Sequence, residues 1–532
     1  MRLGAFAATL VTVLFNSMPN AVAHDAEGLG TVDFRVSCTP EAQQRFNRAA
    51  ALLHSFDWRR AEPALTDVLQ ADPECAMAYW ALAVAKIDNA LGSPPTPKQE
   101  AEGWAAVQKA KAIGGRTERE RDYIASVETF YKDHDKVRFE RRAAAYEKAL
   151  AQLHARYPDD VEAAVLYAFW LQVVADRNDQ TYSNQLKSAR ILEKVFAAHP
   201  DHPGAAHFLI HAYDFPAIAH HGVDAAKRYS QIAPAAPHAL HMPSHIFSRI
   251  GLWQDSIDSN TRSRDVAKLH RDVYHGLDYM VYAALQLGRD EMAKQWLDLV
   301  AQIHKPNEEA RQIAYAGAAI PARYALERGE WRAAAQAPLY PARESFAWQR
   351  FPEGEAVNAY ARGLGAARSG NASGARTEIA RLGALREAMV AQKKDYWVVQ
   401  ADIQMGAIAA WAARAEGRSE EALKLMREAA DREDRTEKHI MMPGPILPVR
   451  EMLGELLLEL KEPALALAAF EQSQKSDPNR FRNVYGAGRA AELAGDREKA
   501  RKYYAQLLQQ VGDQAGNRAE LQRARAFTTA SR

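Results

Sequence analysis

The sequence predicts an all-α fold built as a solenoid of stacked helix pairs, and three observations carry that prediction. Apolar residues recur at helical spacing over most of the chain. Glycines close one helix after another at similar intervals, at Gly251, Gly288, Gly329, Gly370, Gly417 and Gly495. Alanines stand five residues beyond most of these turns, at Ala293, Ala334, Ala375, Ala422 and Ala500, where small side chains let two helices touch. The unit that turns at Gly251 carries Ser256 in that place. A chain of 532 residues is longer than one compact core usually holds, which also suits an array.

Taken in order, residues 1–23 read as a targeting segment. Arg2 is the positive start, Leu3 to Phe15 the apolar run, and Ala21-Val22-Ala23 the cleavage site. Export to the periplasm or medium follows, with a mature chain from near His24. No later apolar run has the length of a membrane span. Residues 24–39 form an extended lead-in, with alternation over TVDFRVSC. Pro40 opens a helix to about Ser55, and Trp58 to Gln70 make its partner, stopped by Ala71-Asp72-Pro73. Gly92 to Pro97 is a turn-rich insert, Thr117-x-x-Glu120 a capping box, and Asp176 to Asn184 a polar loop.

His304 to Glu309 interrupts the period and separates an array over 40–303 from a second over 310–532; Gln336 to Glu355 interrupts it again. The repeat is clearest late in the chain. A unit from Leu447 has Ala466, Phe470 and Pro478; the next, from Phe481, has Gly488, Gly495, Ala500 and Tyr504. Asn517 to Phe527 is a polar-faced helix of the kind that caps an open stack. These offsets, together with Ala49, Ala61, Leu65 and Pro73 near the start, resemble the tetratricopeptide repeat (TPR). That resemblance covers nearly the whole mature chain and implies a right-handed superhelix with degenerate repeats, first helices lining a concave groove and second helices forming the outer wall. The segments HFLIHAYD at 207–214 and PHALHMPSHIF at 237–247 also resemble those of a set of exported bacterial TPR proteins, a likeness that brings no activity with it.

Charge and cysteine usage narrow the function classes. Lys+Arg total 68 against Asp+Glu 67, so the basic excess that nucleic acid or an anionic membrane demands is missing. Cys38 and Cys75 stand about one repeat apart; a disulfide and two buried thiols both remain open. There is no G-x-S-x-G, P-loop, H-E-x-x-H or C-x-x-C.

Chemistry concentrates in residues 202–282. His207 and His211 are four apart; His238, His241 and His245 follow at i, i+3 and i+7; His275, Asp278 and Tyr282 repeat that spacing. His207 and His211 precede His241 and His245 by 34 residues, one repeat. First helices of neighbouring repeats pack about 8–10 Å apart, so side chains at equal places converge. His207, His211, His241, His245, His275 and Asp278 are therefore candidate ligands of a transition metal (Zn, Cu or Fe), with Asp278 or Tyr282 as candidate catalytic groups. Tyr213, Asp214 and Tyr279 are candidates to orient imidazoles. His238 would help line a ligand groove, as would Glu451 and Glu455 behind the proline-rich segment from His439. Three alternatives stay open: a metal site, a metal-free groove for a peptide, protein or small ligand, and plain structural histidines. Pro243 is the weak joint, because it either kinks the histidine-bearing helix or starts a new one. His220 and His221 fall in a loop and read as incidental.

Overall fold

The computed structural model describes residues 27–176 and 179–530. The targeting segment, its cut at Ala23 and the start at His24 lie outside the described residues. Among the described residues there is no strand, and helix follows helix from Pro40–His54 to Ala519–Ala530, each packed on its neighbours in sequence. The chain is an all-α helix-pair solenoid.

The predicted turns explain its regularity. Gly251, Gly288, Gly329, Gly370, Gly417 and Gly495 all have φ between +65° and +85°, a left-handed turn that side chains resist. Each releases the chain into a second helix whose small residue, Ser256, Ala293, Ala334, Ala375, Ala422 or Ala500 in turn, is fully buried. At Gly488 the reason is closeness: an added Cβ would lie 2.8 Å from the Tyr504 ring. Thr117 and Glu120 form the capping box in full.

Three apolar cores run along the stack. One joins Leu29 to Phe247, a second Trp253 to Phe351, and a third Tyr315 to Ala524. The interruption at 304–309 is exposed or half-buried, and residues on both sides of it, Val300 and Ile313, belong to the second core. The lead-in is extended but pairs with no strand; instead Phe34 packs edge-on against Phe46 and Trp80 at 5.4 and 5.3 Å. Just beyond it, Cys38 and Cys75 form a disulfide with Cα atoms 5.2 Å apart. The loop it closes restricts the unfolded chain by about 4 kcal/mol in the chain-entropy account.

The superhelix curls until its last turns meet its middle. Trp253 Nε1 donates to the Asn479 carbonyl at 2.8 Å, the Phe481 N–H to Gln286 Oε1 at 2.9 Å, and the Gly516 N–H to the Gly288 carbonyl at 2.8 Å. The segment from Lys438 to Leu447 packs between elements far apart in sequence. Arg323 donates to the carbonyls of Gly444 and Pro445 at 2.9 and 2.7 Å, and Met441, Met442 and Ile446 are buried. The proline-rich stretch is thus a buried plug without regular structure.

Candidate metal centre

Three elements carry the clustered histidines: Pro203–Tyr213, the broken pair Pro237–His241 and Pro243–Ile250, and His270–Gln286. The break is the joint the sequence exposed. Pro243 cannot donate into the ladder, yet Met242 keeps helical geometry (φ −53°, ψ −35°), so the chain bends without unwinding. Serines of the next helix, Trp253–Val266, hold the bend: Ser259 donates to the Leu240 carbonyl at 2.5 Å and Ser263 to that of Pro237 at 2.8 Å.

The bend divides the histidines into two trios. His207, His211 and His238 bring one ring nitrogen each within 4.8 Å of one another, and so do His241, His245 and His275. The nearest nitrogens within each trio are closer still: His207 Nε2 to His238 Nε2 at 3.1 Å, and His241 Nε2 to His245 Nε2 at 3.0 Å. The single face expected for His238, His241 and His245 is therefore split, with His238 turned toward His207.

Hydrogen bonds behind the rings fix which nitrogen carries the proton. His241 Nδ1 lies 2.6 Å from Asn260 Oδ1, and Asn260 turns that oxygen toward the ring because its amide nitrogen donates to the Ser256 carbonyl at 2.8 Å. His245 Nδ1 lies 3.0 Å from Asp214 Oδ2. Both imidazoles must donate from Nδ1, which leaves bare lone pairs on both Nε2 atoms, facing each other. A proton between them would relieve the contact, but burial holds both rings down to about 4, against partial opposition from Asn260 and Asp214 respectively. The Tyr279 hydroxyl is 3.4 Å from His245 Nε2.

In the other trio, His207 Nδ1 donates to the His54 carbonyl at 2.6 Å, which again bares Nε2. His211 is buried with neither ring nitrogen in a hydrogen bond, and burial, then His245, press its pKa down to about 3. A buried imidazole with two unmet nitrogens is an unfavourable group unless something is bound there. Neutral imidazoles with outer nitrogens anchored and inner lone pairs convergent fit zinc, copper or iron.

Asp214 anchors more than His245. Arg249 donates to Asp214 Oδ1 at 2.9 Å, and Lys438 comes from the plug to 3.1 Å. Burial pushes the Asp214 carboxyl up, but Lys438, Arg249 and His245 together outweigh it and hold it well below the usual carboxylate range. Burial and the Arg249 charge in turn bring Lys438 down to about 8.

Other candidates lie elsewhere, and the expectations for them are corrected. Asp278 takes a hydrogen bond from Arg323 Nε at 2.8 Å and joins neither trio, because Arg323 occupies the space on its side of the helix. Tyr282 accepts from Arg480 Nη1 at 2.9 Å, in a buried network where Arg480 also binds Glu451 at 2.9 Å and Glu327 at 2.7 Å. Glu455 is committed to Arg482. Tyr213 is buried but donates its hydroxyl to Glu193 at 2.5 Å, away from both trios. Only Asp214 and Tyr279 of the proposed orienting groups reach the rings.

Sequence reasoning missed Asn260, Arg249, Lys438 and a third cluster, His54, Glu162 and His202. Ser256, in a place held by alanine in sister units, was the available signal for a polar second helix there. The third cluster is closed by its own protons. His202 Nδ1 accepts from the Ala205 N–H at 3.1 Å, so its Nε2 donates to Glu162 at 3.0 Å, and His54 Nε2 lies 2.7 Å from the other carboxylate oxygen. It braces the His54 carbonyl that orients His207.

A scan against family models finds no match, and no curated protein matches. Among solved structures, the chain is similar to the crystal structure of yeast Tom70, at 12% identity over 93% of this chain and 89% of that one, with a TM-score of 0.31.

Proposed function

We propose that the protein is an exported solenoid that holds a transition-metal ion in its imidazole cluster and uses the concave side around it to bind a peptide, protein or small ligand. One observation carries the metal: Asn260 and Asp214 force His241 and His245 to aim two lone pairs at each other across 3.0 Å. Lone pairs so placed repel unless a cation lies between them. The residues that would hold it are His241, His245 and His275, with Asn260 and Asp214 fixing the rings and Tyr279 beside them. A metal held there would act as a Lewis acid toward an oxygen or nitrogen of the ligand. His275 is only half-buried, so the trio is not wholly sealed from its surroundings. Export is supported by the targeting segment and by the Cys38–Cys75 disulfide, which suits an oxidising compartment.

Metal analysis of the mature protein after dialysis against a chelator and reloading tests the reading. Stoichiometric metal in the wild type, lost from His241→Ala and His245→Ala, supports it; metal that ignores both substitutions sinks it. The Tyr279 hydroxyl favours a second reading, a metal-dependent hydrolase or oxidase, because a phenol beside the imidazoles is placed to pass a proton. Turnover by the loaded protein on hydrolase and oxidase substrate panels, diminished in Tyr279→Phe, would select that reading over binding alone.

A further inference from the structure

The reading above needs one ion, yet the cluster has two foci. Around His241, His245 and His275 the focus is the 3.0 Å contact between bare Nε2 atoms. Around His207, His211 and His238 it is the 3.1 Å contact of His207 with His238, beside the unpartnered ring of His211, which is 6% exposed. Each trio closes within itself, and the bend at Pro243 turns His238 from the direction of His241 and His245. The trios are nonetheless adjacent, with ring centroids 6.0 Å apart between His211 and His245 and 6.2 Å between His238 and His241. The third cluster supplies the contrast: there every inward nitrogen has a carboxylate oxygen to meet, so nothing is left for an ion.

Resting on the proposed metal reading, we infer that the six imidazoles hold two copper ions side by side, one in each trio. The donors select the element. Neither trio contains a carboxylate or thiolate, and nitrogen sites prefer copper(II) over the other divalent first-row ions. Nitrogens 3.0 and 3.1 Å apart, on bonds of about 2.0–2.1 Å, subtend about 95° at the metal. That is nearer the right angles of tetragonal copper than the tetrahedral angle zinc favours. The outer anchors differ, Asn260 and Asp214 for one trio and the His54 carbonyl for the other. The two ions therefore sit in unequal fields, the one nearer His245 lying beside the Asp214 carboxylate with its Arg249 and Lys438 partners.

The test uses the full mature chain, stripped with chelator and dialysed against copper(II) chloride or zinc chloride. Metal per chain is measured alongside electron paramagnetic resonance. His238→Gln and His275→Gln alter the half-buried member of each trio, and far-ultraviolet circular dichroism checks that both fold. Two coppers per chain in the wild type, with a resonance broadened or silenced by spin–spin interaction, support the pair. Each variant should then hold one copper and show a sharp, isolated spectrum. One copper per chain in the wild type overturns the pair and leaves the single-ion reading standing. None overturns both. Two coppers retained equally by both variants, or zinc displacing copper in competition, overturns the assignment as stated.

Discussion

The helix pairs on either side of Gly251 and those on either side of Gly495 follow one plan and use it for different ends. In the late unit, Ala500 and Tyr504 pack against the first helix at Gly488, and Gly486 joins Gly454 of the unit before it in making room for the fully buried ring of Phe470. In the unit around Gly251, the equivalent interface is polar: Ser256, Ser259, Asn260 and Ser263 are all buried and all hydrogen-bonded. A second helix that only had to pack would not bury four polar side chains, since each needs a partner to offset its lost hydration. Their partners are the carbonyls of the kinked helix, its serine Ser248 and the His241 ring. The late unit is built for stability, and the early one gives up apolar burial to aim imidazoles.

Substitution in the late unit should have the largest effect and leave the histidines alone. Phe470→Ala removes a ring clasped by two glycines that cannot collapse inward. It is expected to lower stability by about 3–5 kcal/mol. Denaturant unfolding reads this directly, and metal content per folded chain should be unchanged. A loss of metal at equal folded fraction would mean that the two regions are coupled and the comparison is false.

In the early unit the order of effects reverses. Asn260→Leu keeps the side chain's size but frees the His241 ring to choose its tautomer. Metal affinity should fall by about 10–100-fold, as for other residues that orient a ligand from behind, while thermal unfolding shifts little once metal is removed. Asn260→Asp, which still accepts from Nδ1, should restore most of the affinity. Competition against a chromophoric chelator measures both variants. Equal affinity in Asn260→Leu and wild type would make the buried polar helix a matter of packing alone.

The same contrast explains what could be read from the sequence. Repeats were legible because glycine turns and alanine contacts are local requirements, and each leaves its residue at a fixed offset. The two helix-borne pairs, His207 with His211 and His241 with His245, were legible for the same reason. Asp278 and Tyr282 shared the spacing of His275 and were placed with it. Arg323, from the neighbouring helix Arg311–Leu326, and Arg480 claim them instead, and Arg480 approaches only because the superhelix closes on itself. The third cluster depends on His54 meeting residues more than a hundred positions later, and Lys438 reaches Asp214 across 224 positions. No periodicity encodes such contacts.

The smallest effect is expected where histidines are most visible. His220 and His221 are exposed on a short 3-10 turn, their rings 3.9 Å apart, and His221 packs on Tyr213. Exposed imidazoles keep free rotamers, so two of them on a surface turn bind metal only weakly, with no helix holding a third ligand in place. Replacing both with alanine should change stability by less than about 0.5 kcal/mol and leave metal per chain as it was. Measured beside His241→Ala under the same chelator wash, this pair separates a built site from adventitious capture. If the exposed pair accounts for the metal, the lone pairs of His241 and His245 face each other for a structural reason only, and the early unit's buried polar helix must be explained by the bend at Pro243 alone.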